Sequence, residues 1–369
     1  MPQLKKMRIA GWKSIKDATI KVRPLNVFIG ANGAGKSNLV SFFRLVDAVV
    51  NARLADFVAK AGGANALLHY GVKATQQMFA ELEIVTEAGS GEFGTLLDFG
   101  SPDNLIVNPR FGDRPEADSI EINASVDGQI IGRVKYAPGS GNPGSLILDM
   151  LSKIRSYQFH DTSNTSPIRL TGYIEDNREL RAEGGNLAAI LYKYQQANPL
   201  CYRRIVGAIR LIAPFFGDFV LQPRELNPQT ILLNWKERAS DYLFGPHQLP
   251  DGLLRAMALI ALLLQPERDF PSVLVIDEPE LGLHPFALSS LASLLQKAAH
   301  HCQVIVATQS AALLDYFDVE DIVIVDRPHH ASEFKRLAKE ELTAWLEDYS
   351  LSELWEKNVF GGRPAPWLG

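Results

Sequence analysis

The clearest motif in this sequence is Gly30-Ala31-Asn32-Gly33-Ala34-Gly35-Lys36-Ser37, which fits the pattern G-x-x-x-x-G-K-[ST]. A nearly continuous apolar run over residues 25–29 precedes it, and a helix-like pattern from Ser37 to about Leu54 follows it. Glycines let the backbone turn closely, and a helix N-terminus directs its free N–H groups at phosphate oxygens. The sequence therefore predicts a phosphate-binding loop, and we expect the adjoining Asn38 to lie close to the ligand.

Two side chains give this loop its expected chemistry. Lys36 supplies a point charge for the β- and γ-phosphates of a nucleotide, and Ser37 offers a hydroxyl to Mg²⁺. The alternative is a glycine-rich turn that merely precedes a helix. Chance produces the pattern in about one chain in a hundred of this length, and the strand and helix on either side make chance rarer still.

A second motif combines a buried strand with two carboxylates. Residues 273–276 are four apolar β-formers, and Asp277 and Glu278 follow them directly. Ligands bind at the carboxyl ends of strands in open α/β sheets, so we expect Asp277 to hold Mg²⁺ and Glu278 to take a proton from the attacking water. An acidic pair after a strand is weak evidence by itself, and a solvated loop is the alternative. The phosphate-loop motif favours the catalytic interpretation.

A third motif, His247-Gln248-Leu249-Pro250-Asp251-Gly252-Leu253-Leu254-Arg255, lies about 20 residues before Asp277 and just ahead of a predicted helix. It resembles the ABC-type ATPase signature, in the Leu-Ser-Asp-Gly form of the SMC, RecF and OLD branch. Four more segments resemble that branch: residues 8–17 its first hairpin, 24–30 its approach to the phosphate loop, 278–285 its D-loop, and 306–310 the end of its switch strand. The resemblance covers residues 1–50 and 245–330 well and is loose across 60–240.

Within the loosely matching part, two short segments are similar to a compact, stand-alone AAA-type subgroup. They are Leu68-His69-Tyr70-Gly71 and Phe159-His160-Asp161-Thr162-Ser163. This subgroup lacks a coiled-coil arm and a Toprim domain, and many of its members are encoded beside an effector protein in bacterial anti-phage systems. The resemblance implies an α/β fold, namely a P-loop NTPase of the ABC-ATPase head type. Its parts would be a mixed sheet, an antiparallel β-subdomain and a helical lobe.

The resemblance also implies an active site shared by two copies of the chain. In this family two heads pair head-to-tail, and each ATP lies between the phosphate loop of one head and the signature of the other. The expected nucleotide-binding residues are Gly30 to Asn38, together with Leu249, Pro250, Asp251 and Gly252. Mg²⁺ would be held by Ser37, Asp277 and the candidate Gln158, and the catalytic residues would be Glu278, Lys36 and Gln309. For Gln158 an ordinary strand position is the alternative, and the sequence alone favours it.

Two residues depart from the family pattern. Pro250 stands where the family usually has Ser, so about one charge-assisted hydrogen bond to the γ-phosphate is missing, worth roughly 1.5–3 kcal/mol. Gln309 occupies a switch position that is often His. It can orient water by hydrogen bonding, but it cannot titrate near neutrality. Both departures predict slow turnover, and neither removes the catalytic Glu278.

The motifs predict a Mg²⁺-dependent ATPase, and the resemblance implies that its nucleotide state drives conformational change in a DNA-linked or anti-phage assembly, with slow hydrolysis. We expect a homodimer or higher homo-oligomer and an effector protein as partners, with DNA as a further candidate and no membrane. The alternative is an ATP-gated scaffold or sensor that holds an effector, such as a nuclease, with little turnover. A P-loop kinase is disfavoured, because the signature and D-loop resemblances would then be coincidental.

Composition and residue patterns limit the kinds of partner, location and metal site that the chain is expected to have. The chain is 46% hydrophobic and 21% charged, with a net charge of −5, which argues against non-specific nucleic-acid binding over the whole surface. Two cysteines far apart, with no signal segment and no membrane-spanning run, predict a cytoplasmic protein. The neighbouring histidines at 300–301 and 329–330 are not expected to bind metal, because no carboxylate or cysteine cluster completes either site.

Changes of pattern along the chain predict four regions. They are 1–150, an ATPase lobe with the phosphate loop and the antiparallel β-subdomain; 151–248, a helical insert lobe; 249–340, with the signature, acidic pair, D-loop and switch; and 341–369, a C-terminal helix and tail.

Overall fold

In a computed structural model the chain divides into two compact units. The first comprises Met1–Ser156, Pro271–Val275 and Cys302–Gly369, and the second Tyr157–Phe270 and Ile276–His301. The structure describes residues 2–87, 89–100, 103–108, 120–126, 129–136 and 143–363, without the side chains of 108, 120–126, 129–136 and 143. The predicted C-terminal tail beyond Arg363 lies outside these ranges.

The secondary structure alternates between strand-rich and helix-rich segments. The strands are β1 (Gln3–Trp12), β2 (Ile15–Lys21), β3 (Leu25–Gly30), β4 (Gln77–Thr86), β5 (Gly89–Gly100), β6 (Asn104–Asn108), β7 (Ile120–Val126), β8 (Gln129–Tyr136), β9 (Ile154–Tyr157), β10 (Gly172–Tyr173), β11 (Phe216–Val220), β12 (Pro223–Arg224), β13 (Asn227–Ile231), β14 (Asn234–Glu237), β15 (Val273–Asp277), β16 (Gln303–Thr308), β17 (Ile322–Asp326) and β18 (Glu333–Arg336). The α-helices are α1 (Lys36–Val50), α2 (Leu54–Lys60), α3 (Pro143–Ser152), α4 (Leu187–Ala197), α5 (Pro199–Ile212), α6 (Asp251–Leu263), α7 (Pro285–Ala298), α8 (Ala311–Leu314), α9 (Lys339–Leu342) and α10 (Leu351–Glu356).

An antiparallel sheet in the first unit has the strand order β2-β1-β4-β5-β8-β7, and β6 also pairs with β5. Along β4, buried residues alternate with more exposed ones, as expected for a sheet with one face towards water. Its buried residues Met78, Ala80, Leu82 and Ile84 share a core with Phe43 of α1. The alternating sequence pattern therefore reflects one apolar face of this sheet.

A mixed sheet has the order β18-β17-β3-β16-β15-β9. Strand β3 pairs in parallel with β16 and β17, and all six of its residues are buried. A strand buried on both faces is expected to be largely apolar, which explains the nearly continuous run over Leu25–Gly30. The buried Asn26 is the exception, and its Nδ2 donates to the carbonyl oxygens of Arg23 at 2.7 Å and Val304 at 3.3 Å. Since α1 begins six residues after this strand, the loop between them lies at the carboxyl edge of the sheet. The last residues of β15 and β9 belong to the second unit.

The second unit contains α4 to α7 and two small antiparallel sheets, β10-β13-β12 and β11-β14. The sequence predicts one helical region over residues 185–213, and the structure divides it into α4 and α5 at Asn198. The Asn198 side chain accepts a hydrogen bond from the Cys201 N–H at 3.2 Å, and Pro199 takes the first helical position. Proline cannot continue a helix but is well suited to begin one, so the division is encoded locally.

The predicted α/β class, with a mixed sheet, an antiparallel β-subdomain and a helix-rich part, is confirmed. None of the helices in the described ranges is both long and apolar enough to cross a bilayer.

Candidate functional site

Glycines at two positions allow the phosphate loop to adopt its shape. Gly30 pairs with Val325 of β17, and a Cβ atom at Gly30 would overlap the Val325 carbonyl oxygen. Gly35 has a φ of +123°, and a Cβ atom there would overlap the hydroxyl of Ser332. Larger residues would therefore push the loop away from the strand and from its outer wall.

The ammonium group of Lys36 lies inside the curve of this loop. Its Nζ donates hydrogen bonds to the carbonyl oxygens of Gly30 at 2.6 Å and Ala31 at 3.0 Å, and the residue is 5% exposed. Ser37, the second residue of α1, is exposed. The loop thus combines an ammonium group fixed by two hydrogen bonds with an accessible hydroxyl. These are the groups expected to bind phosphate and Mg²⁺.

Asn38 is held by the first hairpin of the chain. Its Nδ2 donates to the Ser14 hydroxyl at 2.6 Å, and its carbonyl accepts from the Trp12 indole at 2.8 Å. These contacts join α1 to the turn between β1 and β2. The structure therefore fixes Asn38 in the first turn of α1, directly after the phosphate loop, and its place close to the ligand stays a prediction.

The outer wall of the loop comes from late in the chain and was not foreseen. The buried Ser332 hydroxyl lies 2.6 Å from both the Ala34 carbonyl oxygen and the Ser14 hydroxyl. Arg327 Nη1 donates to the Gly33 carbonyl at 3.3 Å, and the Ala31 N–H donates to the Gly362 carbonyl at 3.0 Å. No spacing rule connects these residues to the motif, because about 300 residues separate them.

A second cation, Lys13 in the β1–β2 turn, packs against α1. Lys13 has a left-handed backbone with φ 46°, and its Nζ donates to the Ser41 hydroxyl at 2.8 Å. Burial, together with the charge of Arg44, lowers the pKa of the Lys13 ammonium. Lys13 is therefore packed against α1 rather than extended into solvent.

The acidic pair lies in the second unit. Asp277, the last residue of β15, is 4% exposed, and Glu278 follows in the left-handed region with φ 47°. That conformation costs a non-glycine residue about 1 kcal/mol or more, and such strain clusters at functional positions. The Glu278 carbonyl accepts from the Leu281 N–H at 3.1 Å, so a tight turn holds the carboxylate directly after the strand.

Gln158 and His160 lie beside this pair. Gln158 Nε2 is 3.5 Å from Asp277 Oδ2 and 3.0 Å from His160 Nδ1. Because the amide N–H donates to Nδ1, the imidazole proton is on Nε2, which lies 3.3 Å from the Asp277 carbonyl oxygen and 3.7 Å from Glu278 Oε2. The structure brings the predicted Gln158 next to Asp277, and it adds His160, whose role the sequence did not reveal.

The signature segment is anchored by a buried arginine. Arg169, 3% exposed, donates to the carbonyl oxygens of Thr162 and Leu249 at 2.7 and 3.1 Å, and also to the Pro246 carbonyl. Its Nη2 lies 2.6 Å from the Asp251 carboxylate, which is largely exposed. Pro250 is the N-cap residue of α6, and Asp251 begins the helix. The segment is therefore fixed immediately before the helix N-terminus.

Two further contacts join α6 to neighbouring segments of the second unit. A Cβ atom at Gly252 would overlap the Gly282 carbonyl oxygen, so the signature glycine packs directly on the D-loop backbone. Arg255 donates to the carbonyl oxygens of Phe159 and His160 at 3.0 and 2.7 Å. One helix thus touches both the D-loop and the segment that carries Gln158.

Gln309 follows β16 in the first unit and is exposed. The preceding Thr308 is fully buried, and its hydroxyl accepts from the Ser310 N–H at 3.0 Å. This turn ends the strand and leaves the Gln309 side chain at the surface. Among the described residues, no group of three or more His, Cys, Asp or Glu side chains is arranged to hold a metal ion.

These features agree with a known family. A family described as "AAA domain, putative AbiEii toxin, Type IV TA system" (AAA_21) matches residues 25–315, and the chain belongs to this family. No curated protein sequence gives a significant match.

Solved Smc head domains share the fold at low sequence identity. The head from Pyrococcus furiosus, with an extended coiled coil and bound to the C-terminal domain of ScpA, gives a TM-score of 0.61 at 16% identity, covering 94% of this chain and 99% of that chain. An SmcHead bound to the C-winged helix domain of ScpA gives 0.60 at 14% identity, covering 92% and 99%. The head from Pyrococcus yayanosii gives 0.58 at 11%, covering 94% and 99%. The predicted SMC head-like P-loop NTPase fold is confirmed.

Proposed function

We propose that this chain is a Mg²⁺-dependent ATPase in which the phosphate loop of one copy and the signature segment of a second copy enclose one ATP. The phosphate loop carries the proposal. Its glycine-built backbone, the buried ammonium of Lys36 and the accessible Ser37 form a site complementary to a triphosphate.

The residues expected to hold magnesium suit that ion. Ser37, Asp277 and Gln158 offer hydroxyl, carboxylate and amide oxygens, and Mg²⁺ prefers oxygen ligands. The Gln158 amide lies beside Asp277, with Nε2 3.5 Å from Asp277 Oδ2, so a half-turn of the amide group would direct its oxygen towards the same ion. When bound, the ion would offset negative charge on the phosphate oxygens.

Glu278 is the group we assign to proton transfer. Its tight turn and the neighbouring His160 limit the positions its carboxylate can take. From there it would accept a proton from the attacking water, while Lys36 offsets the charge that develops on the γ-phosphate. His160 acts through Glu278 and is a positioning residue.

The signature segment would close the site of the second copy. The first turn of α6 presents free N–H groups, and the positive end of the helix dipole favours a γ-phosphate. Asp251 would oppose this through its charge, but the Arg169 guanidinium 2.6 Å away neutralises it. The resemblance to the ABC-type signature supports head-to-tail pairing, because in that branch the loop of one head faces the signature of the other.

Single-turnover hydrolysis tests the catalytic assignment. We expect Glu278→Gln to bind ATP and to slow hydrolysis by about 10²- to 10⁴-fold, because it removes only the proton acceptor. Lys36→Ala should instead lose ATP binding. Hydrolysis by Glu278→Gln at the native rate would refute the assignment.

Mixing two inactive variants tests the head-to-tail arrangement. Lys36→Ala damages the phosphate loop, and Leu253→Glu places a negative charge in the first turn of α6. We expect each variant to be inactive alone and the mixture to recover hydrolysis, because one site then combines an intact loop with an intact signature. The proposed arrangement is wrong if the mixture stays inactive while sizing shows that Glu278→Gln does not pair in ATP.

A scaffold function is favoured by one specific observation. Pro250 caps α6 with neither an N–H nor a hydroxyl to offer a phosphate. If the native chain turns over less than once per hour while ATP still drives pairing, the chain is an ATP-gated scaffold. Pro250→Ser should then raise the hydrolysis rate, by up to about 10- to 150-fold, because it restores one charge-assisted hydrogen bond.

We further propose that the base and ribose of ATP occupy a cavity of about 800 Å³ in the first unit, lined in part by Lys16, His69, Tyr70 and His330. Its wall reaches the phosphate loop through Arg327, which donates to the carbonyl oxygens of both His330 and Gly33. Tyr70→Ala should weaken binding of ATP but not of inorganic triphosphate. Equal losses for both ligands would contradict this placement.

We propose that the ATPase works with a protein partner in a defence assembly. The family description names a putative toxin of a toxin–antitoxin system, and Smc heads have been solved with domains of ScpA bound. DNA remains a candidate partner of that assembly. Co-purification of the product of the neighbouring gene, gained or lost with ATP, would test the link.

A further inference from the structure

An apolar groove runs along the surface of the second unit. A cavity of about 450 Å³ is lined by residues of α5, α6 and α7, among them Leu211, Ile212, Leu259, Ile260, Leu291 and Leu294. A second cavity of about 260 Å³ adjoins it, because Arg204, Leu264 and Lys297 line both. We call the two together the helical groove.

The walls of the helical groove carry helical stripes. On α5, Leu200, Arg204, Ala208 and Leu211 recur at spacings of four, four and three, so they share one face of the helix. Leu200 is 63% exposed and Leu211 68% exposed. Along α5 this stripe extends about 16 Å, three turns of helix.

The opposite wall and the floor match this geometry. Ser290, Leu294 and Lys297 line the groove from α7 at spacings of four and three. The floor comes from α6, whose Leu259 and Ile260 are buried beneath the two walls. Side-chain ridges of α5, α6 and α7 therefore border the groove. In helical assemblies a fourth helix packs against ridges arranged in this way.

The charges of the groove point to the chemistry of its occupant. The charged residues that line the larger cavity are Arg204 and Lys297, and both are exposed. Within the described part of the chain, neither has a carboxylate at ion-pair distance, and Glu267 in the smaller cavity pairs with His301 at 3.5 Å. The larger cavity thus has two cations and no carboxylate among its lining residues, beside an apolar floor.

We propose that the helical groove binds an amphipathic helix of a partner protein, with apolar residues at i, i+4 and i+7 and carboxylates on its flanks. The apolar residues would cover Leu211 and Leu259, and the carboxylates would pair with Arg204 and Lys297. Charge complementarity selects this occupant, because the residues that line the larger cavity include two cations and no carboxylate.

Binding in this groove would reach the ATP site. Its floor helix α6 begins at Asp251 in the signature, and its wall helix α7 begins directly after the D-loop. A helix seated between them would bias the position of both first turns. This coupling rests on the proposed function, whereas the binding itself does not.

A matched pair of helical peptides tests the binding. Both are hydrocarbon-stapled and about 14 residues long, enough to span three turns and more, with the same leucines. One carries glutamates on its flanks and the other lysines. We expect the glutamate helix to bind the full chain, measured by fluorescence anisotropy without nucleotide, at least about 10-fold more tightly than the lysine helix.

Three variants sharpen the test. Leu211→Asp should weaken the glutamate helix at least about 10-fold, and the double variant Arg204→Glu, Lys297→Glu should reverse the preference between the two peptides. Leu226→Asp is the control, because Leu226 is fully exposed in the same unit and lines neither cavity. These side chains are exposed, so circular dichroism should show unchanged folding.

Several results would overturn the proposal. Equal binding of the two peptides, no binding of either, or equal weakening by Leu226→Asp would each do so. Self-association of the chain that is lost with Leu211→Asp would assign the groove to a second copy instead. Lys36→Ala should keep peptide binding, so failure here is distinguishable from failure of the ATPase proposal.

Discussion

The phosphate loop and the acidic region place charge at the carboxyl ends of strands by different means. The loop is eight consecutive residues shaped by glycines, and its donors are backbone groups and one ammonium. The acidic and signature region combines side chains from separate segments, including Gln158, His160, Arg169 and Arg255. A backbone-built site tolerates change in most side chains, whereas a side-chain-built site depends on each partner.

The largest expected effect of this difference is at Arg169. Arg169→Met removes a buried guanidinium that satisfies three carbonyl oxygens and the Asp251 carboxylate. We expect a loss of about 3–5 kcal/mol of stability, because three buried carbonyl oxygens are left without their donor at roughly 1–3 kcal/mol each, partly offset by relaxation. Urea denaturation would measure it.

Arg181→Met is the matched control. Arg181 pairs with Asp176 in the same unit at 2.7 Å, but its side chain is 57% exposed. Exposed pairs contribute about 0–1 kcal/mol, so the control should change stability little. Equal losses for the two variants would show that the signature segment does not depend on its buried anchor.

The corresponding test of the phosphate loop is Gly35→Ala. The added methyl group would overlap the Ser332 hydroxyl, and the φ of +123° is strained for alanine. We expect the loop to shift and ATP affinity to fall by roughly 5- to 150-fold, equivalent to about 1–3 kcal/mol of strain. Isothermal titration calorimetry would measure the affinity.

Gly33→Ala separates the effect of backbone strain from the effect of overlap with a neighbouring atom. Gly33 has a φ of +78°, and no atom lies within 4 Å of an added Cβ. Its loss of affinity should be smaller, set by the left-handed backbone alone at about 1 kcal/mol. If Gly33→Ala is as harmful as Gly35→Ala, the wall formed by Ser332 is not what shapes the loop.

The same contrast explains what the sequence could predict. The loop motif and the strand before Asp277 are visible in the sequence because their determinants are contiguous, and the resemblance that these and the other motifs carry implies the α/β fold. Gln158 and Asp277 lie 119 residues apart, so no spacing connects them: the resemblance proposed both for one ion, and the structure places their side chains 3.5 Å apart. Arg169 and Leu249 are 80 residues apart, and buried side-chain contacts at that range leave no periodicity. The division between α4 and α5 was missed although Asn198 and Pro199 encode it locally.

A smaller effect is expected at His160. His160→Ala removes the Nε2–H group beside the Asp277 carbonyl and Glu278. We expect single-turnover hydrolysis to slow by about tenfold, with ATP affinity within about twofold of native, because a positioning residue affects the step and not the binding.

His160→Gln supplies the rescue. A glutamine amide can donate a hydrogen bond near the former Nε2, so part of the lost rate should return. If His160→Ala instead weakens ATP binding as much as it slows hydrolysis, His160 acts on the nucleotide and not through Glu278.

The smallest effect on stability is expected for an exposed ion pair outside the candidate site. It shows how much such a pair contributes when it anchors no functional segment. Arg8 and Asp17 pair at 2.9 Å with side chains 47% and 50% exposed. The hydrogen bond from Arg8 lowers the pKa of Asp17 below its usual 3.8. Folding therefore favours the ionised carboxylate, and the contribution is present above the unfolded pKa and lost as the pH falls through the folded one.

Asp17→Asn should thus cost about 0.2–1 kcal/mol at neutral pH, as exposed pairs do. The difference in denaturant stability between native protein and Asp17→Asn should stay constant from pH 8 to about pH 5 and close at lower pH. Added salt should also reduce it, because both charges face water. If the stability difference between native protein and Asp17→Asn responds to neither acid nor salt, the asparagine alters packing and does not report on the ion pair. A different exposed pair would then be needed for the comparison with Arg169.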